Sequence, residues 1–164
     1  MNFLKTHIEQ ISNPDIILCK PKIKAQELPL LDLVILSAKF DENTGSSLSL
    51  LEILGLSKPT FTQAHNGILH LHLRKGEVVG CKLCLRKKIK FAFIESLLIE
   101  ISKNIKKKPR FQKNSIHLHL HDVLGIEDAN NIMAYIDGAS GLDVLLHAKN
   151  AKCPHFFRSL GFNL

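Results

Sequence analysis

The sequence is poor in several features that would assign it to a class at once. It has no tryptophan, one tyrosine and four cysteines among 164 residues. The cysteines, Cys19, Cys81, Cys84 and Cys153, are too few and too irregularly spaced for the disulfide framework of a small secreted protein, so we expect a reducing compartment. No segment is apolar over the roughly 20 residues that a membrane-spanning helix needs.

Targeting signals and low-complexity tracts are also missing. The first twenty residues contain Glu9 and Asp15 and have neither the apolar core of a signal peptide nor the Arg-rich composition of a transit peptide. We therefore expect the chain to stay where it is made or to be in its processed form. With 45% apolar and 23% charged residues and no recognisable linker or tandem repeat, the chain is predicted to be a single domain spanning 1–164.

The positive charge is unevenly distributed. The formal net charge is +7, and the stretch from Arg74 to Lys113 holds 13 of the 22 Lys and Arg but only 3 of the 15 Asp and Glu. Cationic side chains often do no more than keep a surface soluble, but their clustering on adjacent elements favours a polyanionic partner such as RNA, whose phosphates release counterions when neutralised.

Hydrophobic periodicity predicts a two-layer α+β fold, with helices on one face of a largely antiparallel sheet. Strands are predicted at 31–37, 67–74, 77–86, 115–121 and 141–148. Helices are predicted near the N-terminus and at 46–56, 89–105, 127–136 and 154–160.

The strand at 77–86 carries its cations on one face. Lys82 and Arg86 alternate with Cys81, Leu83 and Leu85, so burial of the apolar side forces the cations outward. Arg can hold a phosphate with two donors and Lys acts as a point charge, so such a pair would position RNA without reading its sequence.

A basic turn precedes this strand and an amphipathic helix follows it. The turn, Arg74-Lys75-Gly76, is predicted to join strands 67–74 and 77–86 as a hairpin, because glycine tolerates the backbone angles of tight turns. The helix is predicted to bury Phe93, Ile94, Leu97, Leu98, Ile101 and Ile105. It is predicted to leave Lys90, Glu100 and Lys103 in water.

Several short motifs follow one another in a recognisable order. They are Lys58-Pro59, Thr62, Ala64, Arg74, Gly76, Gly80-Cys81-Lys82 and Leu85-Arg86, followed by Phe91, Phe93, Glu95 and Leu97. In this order and spacing they resemble the K-P, T-x-A, R-x-G and G-C-K-x-x-L-R motifs of the universal large-subunit ribosomal protein L five, which binds 5S rRNA.

The resemblance continues towards the C-terminus. The matching segments are Asn114-Ser115-Ile116, Ile126-Glu127-Asp128, Gly141-Leu142-Asp143-Val144 and Phe157 to Phe162. The order is kept from about Leu28 to Phe162.

The resemblance implies a non-catalytic protein of the central protuberance, without cofactor or metal. Its implied partners are 5S rRNA, large-subunit rRNA, P-site tRNA near the loop Ala64 to Lys75, small-subunit protein S thirteen and neighbouring large-subunit proteins, with no membrane. Together with the basic strand, it predicts as RNA-binding residues Lys58, Thr60, Thr62, Gln63, His65, Asn66, Arg74, Lys75, Lys82, Arg86, Lys87 and Lys88.

The chain departs from the family pattern at three places. Ser37-Ala38-Lys39 replaces a glycine-containing turn, His65-Asn66 replaces a basic pair, and the long loop after the central helix is reduced to about Lys106 to Lys113. The shortened loop and a composition rich in Ile, Lys, Asn and Phe resemble those of organellar members of the family. A mitochondrial ribosome is therefore the expected location.

Two other functions compete with this interpretation. His70-Leu71-His72 or His117-Leu118-His119 could bind a divalent ion in a single-stranded DNA endonuclease with Tyr135 as the nucleophile, although two-residue alternation also arises on any sheet with a polar side.

The second competing function is a zinc-binding module. Cys81 and Cys84 could form a zinc site with Cys153 and His155, although a lone C-x-x-C pair is weak and strand alternation separates its two thiols. Core packing of Cys81 and a neutral surface position for Cys84 are favoured.

Overall fold

The computed structural model describes residues 3–19, 24–40, 44–67, 70, 72–104, 109–120, 141–150 and 155–162. Its helices are α1 (Phe3–His7), α2 (Asn13–Cys19), α3 (Thr44–Gly55), α4 (Lys87–Asn104) and α5 (His155–Ser159), with a π-turn at Ile8–Ser12 and a 3₁₀ turn at Ala25–Glu27. Its strands are β1 (Leu30–Lys39), β2 (Thr60–Gln63), β3 (Val78–Leu85), β4 (Arg110–Gln112), β5 (Ser115–Leu120) and β6 (Leu142–Lys149).

These strands form one six-stranded sheet in the order β2-β3-β1-β6-β5-β4. The β2–β3 and β4–β5 pairs are antiparallel. The predicted α+β class with a largely antiparallel sheet is therefore confirmed. Among the helices within the ranges given above, none combines the length and apolar character needed to cross a membrane.

The chain divides into two compact units, 1–35 with 85–119 and 144–164, and 36–84 with 120–143. The first unit has an aromatic core, in which the Phe111 and Phe157 rings meet edge to face at 5.8 Å and Phe156 meets Phe157 at 5.3 Å. The N-terminal helical run packs within it, because Leu4 N–H donates to Glu95 Oε1 at 2.7 Å and His7 Nε2 to the Ser159 carbonyl at 3.0 Å.

The second unit is built on the later part of β1, on α3 and on the β2–β3 hairpin. Leu50, Leu51 and Leu54 of α3 are buried, and Ser47 Oγ donates to the Lys39 carbonyl at 3.0 Å, which ties the start of the helix to the end of β1. α3 ends at Gly55, where Leu56 adopts the left-handed conformation at φ 48° that often closes a helix.

Gly80 sets the distance between β1 and β3. A Cβ at this position would lie 2.5 Å from the Ala38 carbonyl oxygen, so any larger side chain would have to displace backbone. The glycine of the G-C-K motif is thus required by the close approach of two strands inside the second unit.

Most predicted elements are present, with boundaries that differ by at most two residues. The strand predicted at 67–74 is wrong for the described residues other than Leu73, which forms an isolated β-bridge: His70 lies in a 3₁₀ turn and His72 has a φ of 53°. The strand that pairs with β3 is instead β2, and neither β2 nor β4 was predicted. The helix predicted at 127–136 lies outside the described residues.

Candidate nucleic-acid interface

The β2–β3 hairpin brings together most of the predicted RNA-binding residues. Its register pairs Thr60 with Lys82, Phe61 with Cys81 and Thr62 with Gly80, and it shifts between Thr62 and Gln63. The Thr60 hydroxyl donates to the Lys82 carbonyl at 3.2 Å. Because directly opposed residues of an antiparallel pair project to the same side, Thr60, Thr62 and Lys82 share one face of the hairpin.

The loop of the hairpin is closed by main-chain hydrogen bonds. Ala64 N–H donates to the Glu77 carbonyl at 2.8 Å, and Gly76 N–H donates to the Ala64 carbonyl at 2.9 Å. Within the loop, Arg74 to Glu77 form a turn in which Glu77 N–H donates to the Arg74 carbonyl at 3.1 Å and Gly76 has a φ of 85°. The predicted turn at 74–76 is therefore real, but it ends a long loop and does not join two adjacent strands.

Lys82 is exposed because the residues on both sides of it are buried. Cys81 is fully buried and Leu83 almost so, which leaves the outward positions of β3 to Lys82 and Cys84. Burial raises the pKa of the Cys81 thiol, partly opposed by its contact with the Ala38 carbonyl at 3.8 Å, so Cys81 is a core residue. The prediction that β3 turns its cations outward and its apolar side inward is confirmed.

The charge of the hairpin is almost entirely positive. Between Lys58 and Leu85 the sequence has four Lys and Arg and a single acid, Glu77. The Glu77 carboxylate accepts the Arg74 N–H at 2.7 Å. Among the ion pairs between described residues, none involves a cation of this hairpin. Within the described residues, the cations of the hairpin therefore face no carboxylate.

The first unit carries a second group of cations at the start of α4. Arg86, Lys87 and Lys88 are all exposed. Lys87 adopts a left-handed conformation at φ 54°, which is uncommon for a residue other than glycine, asparagine or aspartate. Lys87 is the first residue of α4, so the basic run lies where β3 ends and α4 begins.

Lys90, one helical turn further on, was predicted to be solvated, and that prediction is wrong. Its ammonium donates to the carbonyl of Leu31 at 2.6 Å and to that of Asp32 at 2.8 Å, and the residue is only 9% exposed. Burial lowers its pKa, partly opposed by the Asp32 carboxylate. The two carbonyls belong to consecutive residues near the start of β1, so the lysine anchors α4 to this part of the strand.

All the predicted interface residues except one are exposed; Thr62 is half-buried. Nine of them, from Lys58 to Lys82, lie in the second unit, and Arg86, Lys87 and Lys88 lie in the first. Their role in RNA binding stays a prediction.

Two features of the hairpin were not predicted from the sequence. The Glu77 carboxylate accepts the backbone N–H of Arg74 and so fixes the basic turn. The sequence signal for this contact is an acidic residue three positions after Arg74 in a predicted turn. Phe61 exposes 58% of its surface on β2 and meets Phe40 at a ring-centroid distance of 6.0 Å. Its exposure could not be read from the sequence, because β2 itself was not recognised.

The metal-based alternatives find little support in the described residues. His70 and His72 do not share a strand, whereas His117 and His119 are both exposed on β5. Within the described part of the chain, no three His, Cys, Asp or Glu side chains are grouped closely enough to hold a metal ion. Tyr135 and Cys153 lie outside the described residues.

The fold and the surface define a basic α+β protein. On β3, burial of Cys81 and Leu83 directs Lys82 to the solvent. No protein-family model matches the chain. It is 29% identical over 107 residues to "Large ribosomal subunit protein uL5" of Mycoplasma pneumoniae, covering 60% of this chain and 58% of that protein.

A second relative carries the same name. Over 64 residues the chain is 34% identical to uL5 of Blochmanniella floridana, covering 39% of this chain and 32% of that protein. The chain thus spans less than two thirds of the length of either relative. Both similarities support the L five ribosomal family that the motifs indicated.

Proposed function

We propose that this protein is a structural constituent of the large ribosomal subunit and that it binds rRNA without catalysing a reaction. The similarity to two uL5 proteins supports the ribosomal assignment. The observation that carries the proposal is the β2–β3 hairpin, whose exposed cations have no ion-pair partner among the described residues and are backed by a buried strand face.

The proposed partners are 5S rRNA and large-subunit rRNA at the central protuberance. The loop from Ala64 to Lys75 would approach P-site tRNA, and small-subunit protein S thirteen would be met across the subunit interface. A folded RNA suits this surface because the hairpin offers cations and hydroxyl groups, which grip phosphate and ribose and recognise shape more than sequence.

A mitochondrial ribosome is the proposed location. The shortened segment after α4 and the Ile-, Lys-, Asn- and Phe-rich composition support it. Tagged protein should sediment with the large subunit of mitochondrial ribosomes. Sedimentation with the ribosomes of another compartment would refute the location and leave the ribosomal role intact.

The contribution of the cations is tested by salt titration. Purified protein is titrated with a 5S rRNA transcript between 50 and 300 mM KCl, a range chosen because each neutralised phosphate adds roughly 0.7 to 0.9 to the slope of log K against log salt. We expect Lys82→Ala to lower this slope by about 1 and Arg74→Ala with Lys75→Ala to lower it by about 2.

The first unit is tested separately with Arg86→Gln and Lys88→Gln, which leave the left-handed Lys87 unchanged. A matched control removes two cations that already face carboxylates: Lys5, 3.7 Å from Glu9, and Lys149, 3.5 Å from Asp32. The control should leave the slope nearly unchanged. If the wild-type protein bound no RNA, or if the hairpin variants and the control lowered the slope equally, the proposed interface would be wrong.

A further inference from the structure

Phe61 is an exposed aromatic ring on the face of the hairpin opposite Thr60, Thr62 and Lys82. Single exposed apolar residues are common and need no explanation. The setting of Phe61 is less usual, because it lies on β2 between two threonines that face the other side and three residues after Lys58. Of the large apolar residues that are exposed in the described part of the second unit, Leu56, Phe61 and Val78, only Phe61 has a ring.

The ring is held in place without being covered. Phe61 is fixed opposite Cys81 by the strand register, and Phe40 contacts it with the two ring planes inclined at 68°. A single neighbour in this arrangement can cover at most one of the two ring faces. Phe40 itself is anchored, since its N–H donates to the Val79 carbonyl at 3.1 Å. The strand register and this contact therefore hold the exposed side of the ring in place.

The position of β2 makes this face accessible. β2 ends the sheet in the observed strand order and has β3 as its one neighbour there. A ligand that wraps around the outer edge of β2 can meet the ring on one face of the hairpin and Lys82 on the other. Surfaces that combine a basic track with aromatic rings are typical of proteins that bind single-stranded nucleic acid, because every base has a face on which a ring can stack.

We propose that Phe61 stacks on an unpaired nucleobase of the RNA that the hairpin binds. This inference rests on the proposed function and adds to it the kind of nucleotide that is recognised: one in a loop or bulge, whose base is free to leave its own stack. The cations supply affinity for phosphate, and Phe61 supplies a preference for unpaired over fully paired RNA.

The test compares Phe61→Leu, Phe61→Ala and Phe61→Trp on two RNAs, a 5S rRNA transcript with its loops and a fully paired duplex of equal length. Loss of a stacked ring is expected to weaken binding of the Leu and Ala variants to the transcript by roughly 5- to 150-fold. The Trp variant should bind at least as well as the wild type. Because Phe61 is neutral, the salt slope should stay the same in all variants, and duplex binding should not change.

Leucine separates stacking from simple apolar contact. If Phe61→Leu bound the transcript as tightly as the wild type, or lost as much affinity for the duplex, the stacking role would be refuted. Loss of incorporation into ribosomal particles by Phe61→Ala, with unchanged RNA affinity in every variant, would mean that a protein covers the ring and would equally overturn the inference. Absence of RNA binding by the wild type would instead reject the proposed function itself.

Discussion

Replacing Gly80 with alanine is the most direct test of how the hairpin is attached to the rest of its unit. A Cβ at this position would lie 2.5 Å from the Ala38 carbonyl oxygen, 3.3 Å from Thr62 Oγ1 and 3.4 Å from Lys39 Cα. Even close Cα–H···O contacts between strands have carbon-to-oxygen distances of about 3.3 to 3.6 Å. The added methyl group therefore has no room unless β1 and β3 move apart.

The expected loss of stability in Gly80→Ala depends on which atom the added methyl group would contact. Overpacking a well-filled interior costs about 1 to 3 kcal/mol, and we expect the upper half of that range, because the main obstacle is a backbone carbonyl within a sheet. A domain of ordinary stability has about 5 to 15 kcal/mol in total, so Gly80→Ala should fold but unfold at a clearly lower urea concentration. Its RNA affinity should fall too, although no charge is removed.

Two other glycines provide matched controls for the same chemical change. Gly45 lies in α3 with nothing within 4 Å of an added Cβ, so Gly45→Ala should raise the free energy of unfolding by about 0.5 to 1 kcal/mol. Gly76 also has open space but a φ of 85°, so Gly76→Ala should cost about 1 to 2 kcal/mol through backbone strain alone. Circular dichroism during urea unfolding measures all three. A free energy of unfolding for Gly80→Ala within about 0.5 kcal/mol of the wild type would contradict the close approach of β1 and β3.

Two further predictions concern the polar groups that shape the basic segments. Glu77→Ala removes the acceptor of the Arg74 N–H and should cost about 0.5 to 1.5 kcal/mol in urea unfolding, whereas Glu77→Gln, which keeps an acceptor, should cost less; equal costs would refute the role of this hydrogen bond. Burial lowers the pKa of Lys90, so the folded protein releases this proton below the ordinary value of 10.5, while the unfolded chain still binds it. The free energy of unfolding contributed by Lys90 must therefore rise between the folded pKa and pH 10.5. We expect the stability difference between the wild type and Lys90→Met to shift in favour of the wild type from pH 7 to 10.5, and a constant difference would contradict the lowered pKa.

The sequence predicted those parts of the fold in which local pattern and burial agree. β3 is an example, because two-residue alternation through Cys81, Lys82 and Leu83 leaves one arrangement that buries the apolar side. α4 is another, since Phe93, Ile94 and Leu97 recur at helical spacing and are all buried. In such segments the assignment of each side chain to the core or to the surface requires no knowledge of the partner element.

The wrong predictions fall where the decisive interaction is distant in sequence. The segment around His70 and His72 alternates like a strand, yet β3 takes its partner at Thr60 to Gln63, a short strand whose pattern is weak. Alternation shows that a segment could be a strand, but pairing also requires an open edge and a compatible register. The loop after β2 is closed by hydrogen bonds of Ala64 with Gly76 and Glu77, which local patterns do not encode.

Lys90 is a charged residue whose burial also depends on partners distant in sequence, and it affects the position of the cations at the start of α4. Its helical position resembles that of a solvated lysine, but its ammonium reaches two carbonyls 58 and 59 residues earlier in the chain. A buried ammonium is costly unless it is hydrogen-bonded, so these two bonds make the burial tolerable and fix α4 against β1. Lys90 thereby fixes the helix whose first turn carries Lys87 and Lys88. The position of the basic run at the start of α4 thus depends on a lysine that is itself buried. Helical spacing in the sequence would assign Lys90 to the surface, although it belongs to the interior.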